Sequence, residues 1–130
     1  MTGLVSTRRS VKPVLALRTS TEIKGLAHIT GGGLVENVPR VLPMGVSAVL
    51  DRSAWKRPPI FDWLQSAGSI ADAEMHRVFN CGIGMALVVA PGDVDRATSL
   101  LRSAGETVHR IGAIEPERST RMATVSTAAT

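Results

Sequence analysis

The segment of this sequence best suited to chemistry is the run His28-Ile29-Thr30-Gly31-Gly32-Gly33-Leu34. Three consecutive glycines between a strand pattern and a helix pattern let the backbone approach a ligand closely, and the N–H groups of such a turn can face a phosphate. The run is neither a P-loop, which needs Gly-Lys-Ser/Thr, nor the dinucleotide motif G-x-G-x-x-G. Two interpretations therefore stay open, an anion cradle and a tight turn between packed elements.

Four further side chains lie in segments that could border such a cradle. Arg40 could hold a phosphate through two hydrogen bonds, or pair with Glu36 four residues earlier. His28 leads into the glycine run, although a lone histidine is more often a packing residue than a catalyst. Asn80 tolerates unusual backbone conformations and offers an amide to a ligand. Cys81 has no histidine nearby in the sequence to activate it, which favours a small buried residue over a nucleophile.

Secondary-structure patterns place these residues in a fold of interleaved strands and helices, which is typical of a mixed α/β layer structure. The near-continuous apolar run over 83–90 predicts a strand buried on both faces. Whether 83–115 forms a crossover or a hairpin-like unit stays open. The patterns predict strands over 24–30, 47–50, 83–90 and 107–115, and helices around 11–17, 34–38, 60–67, 70–78 and 93–104, with no element before residue 11.

Composition and charge narrow the class of protein. The 130 residues are 44% hydrophobic and 20% charged, which fits one folded domain with a mostly aliphatic core. The net charge of +4 lies entirely in residues 1–24, so no basic face for nucleic acid is expected. A single cysteine excludes an internal disulfide. The three histidines lack the spacing of metal ligands, and no apolar run is long enough for a membrane helix. Trp55 and Trp63 are expected in the core or an interface.

Three sequence segments, taken together and in their order along the chain, resemble the C-terminal domain of phosphoribosylformylglycinamidine cyclo-ligase, also called aminoimidazole ribonucleotide synthetase. They are KGLAHITGGGLVENVPRVLP over 24–43, WKRPPIFDWLQSAGSIADAEMHRVFNCGIGMALVV over 55–89, and the helix and strand that follow to about Glu115. The combination of HITGGG, ENVPRVLP and FNCGIGM is specific, whereas each motif alone would be weak.

The resemblance implies an enzyme of de novo purine biosynthesis. The family uses ATP and Mg²⁺ to convert formylglycinamidine ribonucleotide into aminoimidazole ribonucleotide, and its members are typically cytoplasmic homodimers. An N-terminal domain, missing from this chain, supplies the dimer contacts and most contacts to ATP and Mg²⁺. We therefore expect an α+β fold with α/β/α layers, a mixed sheet and a partly ferredoxin-like arrangement. We also expect the chain to be inactive alone and to bind a phosphorylated small molecule but no membrane.

The resemblance also implies site residues and an organisation of the chain. It assigns a phosphate cradle to Thr30, Gly31, Gly32 and Gly33, and a ligand or proton-transfer contact to His28. Polar groups of the same groove are Asn37, Arg40 and Asn80, and no residue is a metal ligand. The expected organisation is a basic interdomain-like arm over 1–24, the cyclo-ligase C-terminal domain over 25–117 and a flexible tail over 118–130.

Two alternatives to this function stay open. One is that the chain belongs to another ATP-dependent member of the same superfamily. The motifs ENVPRVLP and FNCGIGM are evidence against this alternative. The other is a non-catalytic binding domain that uses the basic arm on an acidic partner or RNA. Retention on nucleic acid that depends on salt and on residues 1–24 would support the second.

Overall fold

The computed structural model describes residues 2–7, 11–116 and 121–123. Helices and strands are interleaved along the chain, as the sequence patterns predict, and short 3₁₀ turns occur at Pro39–Val41 and Pro91–Asp93. The strands are β1 (Thr2–Thr7), β2 (Ile23–His28), β3 (Val46–Asp51), β4 (Met85–Val89), β5 (His109–Pro116) and β6 (Arg121–Ala123), and the helices are α1 (Val11–Leu17), α2 (Gly33–Asn37), α3 (Pro59–Gly68), α4 (Asp72–Val78) and α5 (Val94–Ser103).

The strands form one six-stranded sheet in the order β2-β4-β1-β5-β3-β6. The pairs β2–β4, β4–β1, β1–β5 and β5–β3 are antiparallel, and β3 pairs with β6 in parallel. This arrangement confirms the expected α+β fold with a mixed sheet. It also places β2, and the glycine run that follows it, at one edge of the sheet.

Strand β1 lies between β4 and β5, where the sequence analysis placed an arm that precedes the domain. Leu4 and Val5 are both fully buried and belong to hydrophobic clusters on opposite faces of the sheet. A short strand buried on both faces shows no alternation of apolar and polar residues, so periodicity does not reveal it. The described part of residues 1–24 is therefore built into the domain.

Hydrophobic clusters cover both faces of the sheet and give the α/β/α layering. Helices α1 and α5 pack on one face, and α2 packs on the other together with the loop that carries Trp55. Strand β4 contributes Ala86 and Val88 to one cluster and Leu87 and Val89 to the other. The prediction of a strand buried on both faces is thereby confirmed.

The two tryptophans have different environments. Trp55 is buried, and its indole Nε1 donates a hydrogen bond of 3.0 Å to the carbonyl oxygen of Cys81. Trp63 is 64% exposed, and α3 contributes no buried residue, although its apolar residues recur at helical spacing. The expectation of a core or interface position is therefore met by Trp55, while Trp63 lies on the surface of this chain.

Two other expectations concern membranes and the C-terminal end. Within the described ranges no helix is long and apolar enough to cross a membrane. The tail expected over 118–130 lies mostly outside the described residues, apart from the short strand β6.

Candidate functional site

The glycine run forms a tight turn between β2 and α2 that depends on positive backbone angles. Gly32 has φ of 98° and Gly33 has φ of 61°, and the N–H of Gly33 donates to the carbonyl oxygen of Thr30 at 3.0 Å. A side chain on Gly33 would collide with the carbonyl oxygens of His76 and Phe79 at the end of α4. Glycine is therefore required where the turn packs against α4.

Asn37, at the end of α2, holds this turn from inside the protein. Its side chain is buried, and its Nδ2 lies within hydrogen-bonding distance of three carbonyl oxygens, at 3.3 Å from Thr30, 3.2 Å from Gly31 and 2.8 Å from Gly33. Its Oδ1 accepts a hydrogen bond of 3.1 Å from Nη1 of Arg40. One carboxamide thus joins the turn to the guanidinium of Arg40.

The turn and Arg40 together offer several hydrogen-bond donors to an anion. Within the described part of the chain, the N–H groups of Gly31 and Gly32 make no hydrogen bond. The residue Arg40 is exposed, and its hydrogen bond to Asn37 uses one of the five N–H donors of a guanidinium. Because α2 has only five residues, its dipole adds little, and the donors of the turn carry the argument.

A carboxylate already lies beside the turn. A Cβ placed on Gly32 would be 2.5 Å from Oε2 of Glu36, and Oε1 of Glu36 is 3.9 Å from Nη1 of Arg77. Among the described residues Glu36 makes no ion pair with Arg40, so that alternative from the sequence is not found. An anion at the turn would have to displace the Glu36 carboxylate or tolerate its charge.

The remaining predicted site residues, His28 and Asn80, make no hydrogen bond to the turn among the described residues. His28 is exposed at the end of the edge strand β2, opposite Met85 of β4. The Oδ1 of Asn80 accepts a 2.9 Å hydrogen bond from the N–H of Gly82. The structure therefore joins Thr30–Gly33, Asn37 and Arg40 by direct contacts, whereas His28 precedes the turn on β2 and Asn80 follows Phe79, whose carbonyl oxygen packs against Gly33.

Cys81 is fully buried and holds an unusual backbone conformation, with φ of 52°. Its Sγ donates to the carbonyl oxygen of Met75 at 3.6 Å. Burial raises the pKa of the thiol, and the nearby Arg57 opposes this shift. The thiol is therefore protonated at neutral pH and buried from solvent, which fits packing and not nucleophilic catalysis.

A second polar cluster surrounds a cavity of about 120 Å³ lined by Arg52, Trp55, Arg57, Asp72 and His76. The charges in it largely cancel, because Arg52 lies 2.5 Å from Asp72 while Arg57 lies 3.9 Å from Asp72 and 2.5 Å from Asp62. Sequence reasoning did not find this cluster, since its residues come from separate segments with no local motif.

His76 is the unusual member of that cluster. It is 6% exposed, and its buried Nδ1 has no hydrogen-bond partner among the described residues, an arrangement that costs about 1–3 kcal/mol. Burial lowers the pKa of the imidazole, Asp72 raises it, and Arg52 and Arg57 lower it further. The neutral imidazole is thus the form that the fold favours.

Across residues 2–7, 11–116 and 121–123, no three or more histidine, cysteine, aspartate or glutamate side chains cluster in a way that could hold a metal ion.

Comparison with known proteins gives consistent matches. A family model described as AIR synthase related protein, C-terminal domain, matches residues 4–124. The curated phosphoribosylformylglycinamidine cyclo-ligase of Nitrosospira multiformis is 56% identical over 122 residues, which are 94% of this chain and 35% of that protein. That of Paraburkholderia phymatum is 58% identical over 115 residues, which are 88% of this chain and 32% of that protein. The chain thus spans about a third of these relatives' length.

A solved structure shares the fold at low sequence identity. The crystal structure of thiamine-monophosphate kinase from Stenotrophomonas maltophilia matches with a TM-score of 0.60 and 11% identity. The match covers 93% of this chain and 49% of that chain. At this identity the similarity shows the fold alone.

Proposed function

Because this chain belongs to the family of AIR synthase related proteins, whose C-terminal domain it contains, we propose that it binds the phosphorylated substrate in a phosphoribosylformylglycinamidine cyclo-ligase. The reaction is the ATP-dependent closure of the imidazole ring of aminoimidazole ribonucleotide. The part assigned to this chain is to hold the phosphoryl group of formylglycinamidine ribonucleotide.

The observation that carries this proposal is the glycine turn with Arg40 beside it. Among the described residues the N–H groups of the exposed Gly31 and the half-buried Gly32 have no hydrogen-bond partner, and the Arg40 guanidinium is linked to the same turn through Asn37. A phosphoryl group needs several convergent donors and a positive charge, which this combination supplies. Thr30 and Gly33 complete the turn, and the exposed side chain of Thr30 adds a hydroxyl donor.

His28 and Asn80 have secondary roles in this proposal. His28 precedes Thr30 by two residues on the edge strand and is exposed, so it can reach a substrate bound at the turn as a ligand or a proton-transfer group. Asn80 uses its oxygen on Gly82, which leaves its amide nitrogen for a polar group of the substrate.

In this proposal, ATP and Mg²⁺ are bound mainly by the part of the relatives that this chain does not span. When bound, ATP supplies the phosphoryl group that turns the amide oxygen of the substrate into a leaving group. The described residues contain no metal-binding cluster, so we assign no Mg²⁺ ligand to them. The contribution of this chain is binding and orientation, which bring the reacting groups close together. We further propose that the complete enzyme is a cytoplasmic homodimer and that this chain alone does not turn over.

An assay in two parts tests the proposal. The chain is incubated with ATP, Mg²⁺ and formylglycinamidine ribonucleotide, first alone and then with the separately produced N-terminal two thirds of the Nitrosospira multiformis relative. We expect no aminoimidazole ribonucleotide from the chain alone and measurable product from the mixture. Turnover by the chain alone would contradict its dependence on a second domain, and a mixture that stays inactive would contradict the cyclo-ligase role.

A further inference from the structure

We propose that Asn37 is a positioning residue that aims the guanidinium of Arg40 at an anion held by the glycine turn, and is not itself a ligand of that anion. The inference rests on the proposed function, since it assumes a phosphoryl group at the turn. It gives separate tasks to the nitrogen and the oxygen of one carboxamide.

The nitrogen of Asn37 is fully engaged by the turn. Its two hydrogens face three carbonyl oxygens, of Thr30, Gly31 and Gly33, at 2.8–3.3 Å. The side chain is also buried, with 6% of its surface exposed. No donor is therefore left for a ligand, and the effect of this nitrogen on binding is to hold the turn in shape.

The oxygen of Asn37 fixes one nitrogen of Arg40 at 3.1 Å. A long arginine side chain loses conformational freedom when it binds a ligand, and a preformed hydrogen bond reduces that loss. The guanidinium keeps its remaining N–H donors on a planar fork that matches the oxygens of a phosphate.

The choice of a neutral partner also preserves the charge of Arg40. Arg52, Arg57 and Arg77 each have carboxylate oxygens within 4.0 Å, which compensate their charge. The partner that Arg40 has among the described residues is an uncharged amide oxygen. Arg40 is therefore oriented without being neutralised, which suits a phosphate monoester as the ligand.

The test is a double-mutant cycle on the full chain, with inorganic phosphate as the probe and the backbone amide signals of Gly31 and Gly32 as the NMR readout. We expect Arg40→Gln to weaken phosphate binding about tenfold and Asn37→Ser to weaken it at least as much, because serine loses both the oxygen that aims Arg40 and the nitrogen that holds the turn. The double variant should bind at most about twofold more weakly than Asn37→Ser alone, because Arg40 depends on Asn37 for its orientation. Arg18→Gln is the control, since Arg18 follows α1 on the opposite face of the sheet and should change nothing.

A second variant keeps the inference testable if Asn37→Ser does not fold. Arg40→Lys keeps the charge but loses the fork, so it should weaken binding nearly as much as Arg40→Gln. Full binding by Arg40→Lys, or losses that simply add in the double variant, would overturn the positioning role. If phosphate shifts neither Gly31 nor Gly32 in the unmodified chain, the proposed phosphate site itself fails, which is a different result.

Discussion

At the scale of single residues, the glycines of the turn are not equivalent. Gly33 has a positive φ and packs directly against backbone carbonyls of α4, whereas a Cβ on Gly31 would meet nothing within 4 Å. The turn is therefore fixed by packing at one end and open at the other. Gly31 is exposed at the open end, which is the part of the turn that we propose for binding, whereas Gly33 has a structural role.

This difference predicts that alanine substitutions at Gly33 and Gly31 lower the free energy of unfolding by different amounts. Gly33→Ala should lower the free energy of unfolding by about 2–4 kcal/mol, because the new methyl group collides with backbone and the positive φ disfavours an L side chain. Gly31→Ala is the matched control and should change it by less than about 1 kcal/mol. Urea denaturation of both variants measures the difference. Equal costs would contradict the packing of Gly33 against α4.

The carboxylate of Glu36 gives a second prediction at this scale. Because it lies beside Gly32, its charge should oppose a phosphate at the turn. Glu36→Gln should therefore raise the affinity for inorganic phosphate about two- to fivefold at low salt, with a smaller gain at high salt. Asp95→Asn on α5, on the other face of the sheet, serves as the control in the same NMR titration. Unchanged or weaker binding in Glu36→Gln would place the anion elsewhere.

At the scale of elements, helix α4 connects the two polar regions of the molecule. The carbonyl oxygen of His76 faces Gly33, and the side chain of the same residue lines the cavity with Arg52 and Asp72. The backbone of one residue thus supports the glycine turn while its imidazole is buried against the cavity. A change in the charge of His76 is expected to affect the stability of this support.

The lowered pKa of His76 predicts how stability depends on pH. Above its usual pKa of 6.5 the imidazole is neutral in both the folded and the unfolded chain. Below pH 6.5 the unfolded chain binds a proton that the folded chain resists. The free energy of unfolding therefore decreases as the pH is lowered, by at most about 1.4 kcal/mol per pH unit. His76→Gln should flatten this decline between pH 7 and pH 5 in thermal or urea denaturation.

A comparison with His109 makes this test specific. Burial, and then Arg102, lower the pKa of His109 as well, so His109→Gln should also flatten the decline. His76 is the more deeply buried of the two, and its substitution should have the larger effect. An unchanged pH profile in His76→Gln would show that the imidazole is protonated without cost in the fold.

At the scale of the whole molecule, the sheet depends on its first strand. Strand β1 joins β4 to β5, so the two halves of the sheet meet only through it. Leu4 is fully buried there, and Leu4→Ala should lower the free energy of unfolding by about 2–5 kcal/mol. Leu15→Ala, at a side chain that is 53% exposed, should cost less than about 1 kcal/mol. Similar small costs for both would contradict a central position of β1.

The sequence predicted most secondary-structure elements and the family. The features that it did not predict, strand β1 and the cavity beside His76, were missed for physical reasons. Alternation and glycine or proline boundaries located β2, α5 and β5, and the resemblance to the cyclo-ligase family is confirmed by a match over residues 4–124. Strand β1 was missed because a strand buried on both faces has no period. The burial of His76 and its cavity was missed because those side chains meet only through tertiary packing.

The candidate site was predictable in its residue types but not in its contacts. The glycine run and Arg40 were predicted as candidate site residues from their residue types and local pattern, whereas the sequence left open whether Arg40 pairs with Glu36. The structure pairs Arg40 with Asn37 because the 3₁₀ turn at Pro39–Val41 ends the helical spacing after α2. The role of Asn37 as the link between turn and guanidinium could not be read from a local pattern.

The central claim is that the glycine turn and Arg40 hold the phosphoryl group of the substrate. The most direct measurement is an NMR titration of the full chain with formylglycinamidine ribonucleotide and with the same molecule lacking its phosphate. We predict that the ribonucleotide shifts the amide signals of Gly31 and Gly32 and the side-chain signal of Arg40, while the dephosphorylated molecule leaves them unchanged. Equal shifts with both molecules, or shifts with neither, would contradict the claim.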